Sequence, residues 1–394
     1  MQKLSIGVYG FGCVGQGLHF AIKKSIGVKT TIKKIVVKDK TKKREIAAKI
    51  FSFDKNDILN DASINVVVEL IDNANEAFDI VKEAIIKGKH VVTANKKMIA
   101  THLTELIALK NKHNISLLYE ASACGSIPII RTLETYFANE DLIKISGIFN
   151  GTTNYILTKV IDEGLTYDQA LYTAKQSGFA ESDPTSDVEG FDAMYKTIII
   201  ALHGFGIILE VNDIFRLGIS SIQNKDIHFA KSNGYKIKLV PTITKLAGNK
   251  INAFVMPALV KNDSHLFKVE NEFTGVFIES PISGEHFFLG RGAGSLPTGA
   301  AVLSDIASLA NNYKYENKKL HQQVPLNFTN NFEQKVFISA KKKSTLDKIA
   351  LVKTISYFEE NEYCYKIGIA NIETIKEQIE EKKLRENVFI ATIV

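Results

Sequence analysis

Leu4-Ser5-Ile6-Gly7-Val8-Tyr9-Gly10-Phe11-Gly12-Cys13-Val14-Gly15 carries an apolar, strand-like run that passes directly into Gly-x-Gly-x-x-Gly and then a helical segment. In that context each glycine has a task. The first permits a tight turn, the second lets a pyrophosphate approach bare backbone, and the third lets helix and strand pack closely, with phosphates on the helix N-terminus. Gly10, Phe11, Gly12, Cys13, Val14 and Gly15 are therefore the candidate dinucleotide-binding loop.

Beyond the loop, short β-branched runs alternate with helical ones: Ile6 to Tyr9, Ile35 to Val37, Val66 to Leu70, His90 to Thr93 and Ile115 to Tyr119. That alternation predicts a parallel sheet covered by helices. Glu76 to Lys87 has helical spacing and Gly88 stands where a C′ glycine is expected. From about residue 130 the texture changes. Leu133 to Asn139, Leu165 to Ser177 and Thr197 to Leu209 read as helices, and Tyr235 to Val260 as two strands. Strands at Lys335 to Ala340, Tyr365 to Ala370 and Val388 to Val394, with a helix at Ile372 to Leu384, suggest a small separate α+β unit. The expected fold class is α/β, with a Rossmann-type dinucleotide-binding domain over 1–130, completed by a helix near 297–312. An α+β substrate and dimerisation domain over 131–312 and a C-terminal unit over 313–394 complete the expected division.

The 394 residues are 45% hydrophobic and 23% charged, an ordinary globular balance that excludes a mostly disordered chain. Lys plus Arg number 49 against 43 acids, giving +6, with the lysines spread along the chain rather than gathered in a nucleic-acid-binding stripe. The three cysteines are too few and too scattered for a disulfide framework, which points to a reducing compartment. No basic leader precedes the first apolar run, and no apolar stretch reaches the roughly 20 residues of a membrane span. A soluble, cytoplasmic protein is expected, with neither membrane nor nucleic acid as partner.

Three segments carry more polar chemistry than packing requires. After the second strand comes Val37-Lys38-Asp39-Lys40. Asp39 could accept from a ribose hydroxyl, as NAD needs. Lys38, with Lys40, Lys42, Lys43 or Arg44, could pair with the 2′-phosphate of NADP, and the local cation excess favours NADP with NAD possible. In Val91-Val92-Thr93-Ala94-Asn95-Lys96 a lysine stands beyond a predicted parallel strand, at the edge where such sheets bind ligands. Between Gly178 and Lys196, acids cluster ahead of an apolar helix. Asp192 and Lys196 fall on one helical face, where they form either an ordinary ion pair or a proton-transfer lysine with its carboxylate partner. Burial lowers a lysine's pKa and a nearby carboxylate raises it.

With these segments in view the sequence resembles the homoserine dehydrogenases, in the monofunctional form without an aspartate kinase. The resemblance covers about residues 4 to 310. It rests on the glycine loop, on Val91 to Lys96, on Glu120-Ala121-Ser122 leading to Ile127-Pro128-Ile129-Ile130, and on Asn150-Gly151-Thr152-Thr153-Asn154. Ala174 to Lys196 and Gly290-Arg291-Gly292-Ala293-Gly294 complete it. It implies reduction of L-aspartate 4-semialdehyde to L-homoserine by NADPH or NADH, in threonine, methionine and isoleucine biosynthesis. It also implies catalytic roles for Lys196, Lys96 and Asp192, and substrate contacts from Glu181, Asp187, Gly151 and Thr152. Cofactor contacts would include Lys38, Lys96 and Gly294. A monovalent cation, sodium in most of the family, would be held by Glu120, Ala123, Gly125 and Ile127 with Gly178 and Glu181. A homodimer or higher homo-oligomer is implied. The region after residue 313 lacks the Pro-Gly turn of the family's regulatory domain and looks like a degenerate version of it.

Two rival readings remain at this point. Cys124, in a small-residue loop, could be the nucleophile of an aldehyde dehydrogenase that forms a thioester, although a small buried thiol is the plainer account. Alternatively, the chain could be a non-catalytic NAD(P)-binding sensor.

Overall fold

A computed structural model describes residues 4–27, 30–44 and 46–394. The chain divides into two compact units. The first comprises Met1–Asn139, Leu202–Ile208 and Arg291–His321, and the second Glu140–Ala201, Leu209–Gly290 and Gln322–Val394.

In the first unit, strands β1 (Ser5–Tyr9), β2 (Thr31–Val36), β3 (Phe51–Ser52), β4 (Val66–Glu69), β5 (His90–Thr93) and β6 (Leu117–Leu118) form one sheet in the order β3-β2-β1-β4-β5-β6. Every pairing is parallel. This is the Rossmann-type order, in which the strand sequence reverses beside β1 and opens a crevice at the carboxyl ends. Val66, Val67 and Val68 are all buried, because helices cover both faces of a parallel sheet and leave no polar side to alternate with. The helix Ala74–Ile86 starts where the Asn73 side chain accepts from the backbone N–H groups of Asn75 and Glu76. It stops at Gly88, whose φ of 72° lies in the left-handed region that glycine enters most readily. The helix Cys13–Lys24 packs on Ser295–Leu309 through glycines: a Cβ at Gly17 would lie 1.9 Å from the Ser295 carbonyl oxygen, and one at Gly299 2.4 Å from Gly17.

The second unit is built on one large mixed sheet. Its strands are β7 (Lys144–Ile148), β8 (Phe215–Arg216), β9 (Tyr235–Leu246), β10 (Lys250–Lys261), β11 (Phe273–Ser280), β12 (Gly284–Arg291), β13 (Asn327–Phe328), β14 (Glu333–Ala340), β15 (Lys353–Glu360), β16 (Tyr363–Asn371) and β17 (Val388–Ile393). The main path runs β12-β11-β7-β9-β10-β17-β14-β16-β15. Along its second edge β10 is tiled by three short partners: β13 at Lys250 and Ile251, β8 at Phe254 and Val255, and β17 at Ala258 and Leu259.

That tiling overturns the expected three-way division. Residues after 322 do not form a separate unit; they extend the sheet of the second one. The physical reason lies in β10, buried from Ile251 to Val260 without alternation, which needs cover on both faces and a neighbour on both edges. Phe215, Phe254 and Met256 share one apolar core with Val336, Ile338, Ile372, Ile375 and Ile390. Two expected helices are shifted, to Ile129–Thr135 and Phe191–Phe205, while the one expected over Leu165 to Ser177 forms as Tyr167–Gln176. Among the described residues no helix is long and apolar enough to cross a membrane.

Candidate active site

At the carboxyl end of β1, Gly10 has φ of 93°, and a Cβ there would come within 2.5 Å of the Leu70 carbonyl oxygen. A Cβ on Gly15 would meet the Gly10 carbonyl at 2.8 Å, whereas one on Gly12 would face open space. So the first and third glycines serve close packing, and the second leaves bare backbone at the start of the helix Cys13–Lys24, whose first turn holds no acid. Phe11 and Val14 are half-buried beside it and Cys13 is exposed. Gly294, with φ of 115°, precedes the helix Ser295–Leu309, and Ser295 donates its hydroxyl to the Cys13 carbonyl at 2.7 Å. That contact joins Gly294 to the loop.

Beside the loop lies a cavity of about 640 Å³, lined among others by Gly12, Lys38, Asp39, Lys42, Arg44 and Glu76. Asp39 is committed to its own turn. One carboxylate oxygen accepts from the Thr41 N–H and hydroxyl, both at 2.7 Å, and from the Lys42 N–H. The Thr41 hydroxyl, ahead of the Thr41 and Lys42 amides, holds the carboxyl below its usual range. Lys38 pairs with Glu76 at 2.5 Å, both side chains exposed. Arg44 donates to the carbonyls of Lys42 and Asp39 and lies 5.1 Å over the Phe51 ring. Glu76 was not among the expected site residues; it reads in sequence as one more acid in a helix's first turn.

Lys96 is half-buried in the first turn of the helix Lys96–Thr101, which Asn95 caps by accepting from the Met98 N–H at 3.0 Å. Beneath it, buried Glu69 ties β4 to β5 by accepting from the Thr93 hydroxyl at 2.6 Å and the Ile71 N–H at 2.7 Å. Burial pushes the Glu69 carboxyl up to about 7.

The loop from Glu120 to Ile127 belongs to the same unit. The Glu120 carboxylate accepts from the Ile130 and Arg131 N–H groups, each at 2.8 Å, and so caps the helix Ile129–Thr135. Burial, then the neighbouring Asp305, raises Glu120 to about 8. With that side chain engaged, the Glu120, Ala123, Gly125 and Ile127 set can offer a cation backbone oxygens. Such donors suit an alkali ion and not a transition metal. Among the described residues no group of three or more His, Cys, Asp or Glu side chains is arranged to hold a metal. Cys124 and Gly125 are successive left-handed residues, and a Cβ on Gly125 would lie 2.3 Å from the Arg291 carbonyl oxygen. The Cys124 thiol is 0% exposed, which removes it from contact with a substrate.

In the second unit the helix Phe191–Phe205 presents Asp192 and Lys196 one turn apart. Lys196 Nζ lies 2.6 Å from Asp192 Oδ2 and donates to the Phe149 carbonyl at 2.7 Å, and the two side chains are 8% and 5% exposed. Asn150 completes the network. Its Nδ2 donates to Asp187 at 2.6 Å and to Asp192 at 2.8 Å, while its Oδ1 accepts from the Thr153 N–H and caps the helix Gly151–Asp162. Asn150 was absent from the expected site, although Asn directly before a helix signals an N-cap. Gly151 and Thr152 are half-buried in that helix's first turn, and Thr152 donates its hydroxyl to the Phe179 carbonyl at 2.6 Å. Gly178 and Glu181 are exposed on the following loop, while Asp187 is half-buried.

A glycine loop at the carboxyl edge of a β3-β2-β1-β4-β5-β6 sheet and a buried lysine held by a carboxylate are the parts of a dinucleotide-dependent oxidoreductase. Residues 10–120 match the family described as homoserine dehydrogenase, NAD binding domain, and residues 128–307 match homoserine dehydrogenase. Over 323 residues the chain is 39% identical to the homoserine dehydrogenase of Bacillus subtilis, covering 80% of this chain and 74% of that one. The chain belongs to the homoserine dehydrogenase family and is an NAD(P)-dependent oxidoreductase. The Helicobacter pylori enzyme is 36% identical over 316 residues, 78% of this chain and 74% of its own. A crystal structure of a homoserine dehydrogenase from Thiobacillus denitrificans superposes with a TM-score of 0.86 at 26% identity, covering 100% of this chain and 99% of that one. A hyperthermophilic archaeal homoserine dehydrogenase in complex with NADPH has a TM-score of 0.69 at 28% identity, covering 80% and 99%. Membership of this family also sets aside the aldehyde dehydrogenase and sensor readings.

Proposed function

We propose that Lys196 is the acid-base residue in the reversible reduction of L-aspartate 4-semialdehyde to L-homoserine. A lysine ammonium has three N–H donors. Asp192 and the Phe149 carbonyl take two of those of Lys196, so the third is oriented for one oxygen of a substrate, and this observation carries the reading. Asp192 holds the ammonium, and Asn150 holds Asp192. A nicotinamide, when bound, would supply a hydride for the aldehyde carbon; Lys196 donates the proton to the aldehyde oxygen. The N–H groups of Gly151 and Thr152, unpaired within their helix, suit the substrate carboxylate. Glu181 and Asp187 suit its ammonium, and Lys96, in the first unit, is a cation suited to the cofactor. The test is turnover of homoserine with NADP, together with cofactor titration, in Lys196→Ala. Turnover should fall by about two to four powers of ten with cofactor affinity retained; full activity would remove Lys196 from the mechanism.

We further propose NADP as the preferred cofactor. Asp39 has one carboxylate oxygen committed to its own turn, whereas Lys38, Lys42 and Arg44 bring three cations to the cavity. The carbonyls of Glu120, Ala123, Gly125 and Ile127, all in the first unit, are the proposed donors for a sodium ion. A sodium-for-choline exchange that leaves activity and melting temperature unchanged would discard that assignment. The three free cysteines support a reducing, cytoplasmic setting. A homodimer through the second unit is the proposed assembly, and light scattering would report it directly.

A further inference from the structure

In the second unit a cavity of about 320 Å³ opens beside the first turn of the helix Phe191–Phe205. Its apolar floor includes Phe191, Met194 and Ile214, and its charged rim is Arg216, Lys376 and Arg385, with Glu380 the one acid among the lining residues. Arg216 stacks with its guanidinium carbon 3.4 Å from the Phe191 ring centroid and donates to the Glu189 carbonyl. Arg385 donates to the Arg216 carbonyl at 2.6 Å, and Lys376 to the Asn212 carbonyl at 3.3 Å. All three cations are thus positioned by backbone oxygens. Among the described residues none of them has a carboxylate within ion-pair distance, and the Glu189 carboxylate is engaged by the Ser220 hydroxyl.

Such an arrangement is costly unless something answers it. Burial and then the like charge of Arg385 push the Arg216 guanidinium down to about 10, far below where an arginine normally titrates. Guanidinium groups present paired N–H donors that match the two oxygens of a carboxylate. The floor beneath them is apolar and large enough for a few carbon atoms. We propose that this cavity is a binding site for a small organic carboxylate, its charged end held by Arg216 and Arg385 and its apolar body lying on Phe191, Met194 and Ile214. The site is distinct from the Asp192–Lys196 pair, yet Phe191 is the residue that opens the helix carrying both.

The probe is isobutyrate, titrated calorimetrically into the full-length protein saturated with homoserine and NADPH, a pair that cannot react with each other, so that the active site is occupied. Isobutyramide, the same shape without charge, and inorganic phosphate are the comparison arms. Isobutyrate should bind with millimolar affinity, isobutyramide should not, and phosphate should bind more weakly for want of an apolar body. Arg385→Gln should weaken isobutyrate binding by roughly tenfold. Because Arg385 also bonds the Arg216 backbone, Lys376→Gln on the helix surface is the second variant, with a smaller loss and unchanged basal turnover. Equal binding of isobutyrate and isobutyramide, phosphate binding in place of isobutyrate, or indifference to both substitutions would overturn the proposal.

Discussion

At the scale of single residues, partners within the protein decide which groups are left for a ligand. Lys38 is the cation sequence reasoning favours for a 2′-phosphate, but Glu76 competes for it. Glu76→Ala should therefore lower the Michaelis constant for NADP by a few-fold and leave that for NAD unchanged, whereas Lys38→Ala should raise it, each by about one charge-assisted hydrogen bond or less. Equal effects on both cofactors would make the pair a surface ornament. A second residue-scale prediction concerns Asp226, buried and accepting from the Ser339 and Tyr363 hydroxyls and the Gln223 N–H. Burial raises its carboxyl from 3.8 to about 6. The folded protein thus binds this proton more tightly than the unfolded chain does. The stabilisation is complete below the unfolded value and is lost as pH rises through about 6. Asp226→Asn should remove a pH-dependent component on the order of 2 kcal/mol, measured as the difference between denaturant unfolding at pH 4 and pH 7. Parallel curves for both proteins would refute it. Asp39 and Asn150 show what a sequence conceals at this scale. Nothing in the order of residues says that Asp39 turns its carboxylate onto Thr41, or that Asn150 reaches two acids while capping a helix.

Elements were legible where their pattern is one-sided or punctuated. The glycine loop, β4, β5 and the helix ending at Gly88 could all be read because turn chemistry and apolar runs mark them locally. The two-residue β3 and β6 and the exposed β15 carry almost no periodic signal, and only the sheet around them makes them strands. The contact of Cys13–Lys24 with Ser295–Leu309 is equally invisible, because it depends on missing side chains more than 270 residues apart, as the pairing of Ser295 with Cys13 illustrates. It can be tested directly. Gly17→Ala forces a methyl into the Ser295 backbone and should cost about 1–3 kcal/mol, read as a lowered melting temperature. Gly27→Ala, where a Cβ would meet nothing within 4 Å, should stay within about 0.5 kcal/mol of the parent. Similar losses at both positions would mean that the helix contact does not set the effect.

For the molecule as a whole, the expected boundary near residue 313 misjudged what the C-terminal strands do. A detachable regulatory unit would leave an active enzyme behind when removed. Here residues 322–394 share a sheet and a core with the rest of the second unit, so truncation after His321 should yield aggregated protein without turnover. A soluble, active truncation would restore the separate-unit reading. The position of β17 also sets a clock. Because β10 ends at Lys261 and its partner begins at Val388, the edge it needs is synthesised some 130 residues later, about 10 s at usual translation speeds. During that interval a largely apolar strand, met on this edge only by the two residues of β8 and later by β13, is open to wrong edge pairing until the last strand of the second unit emerges.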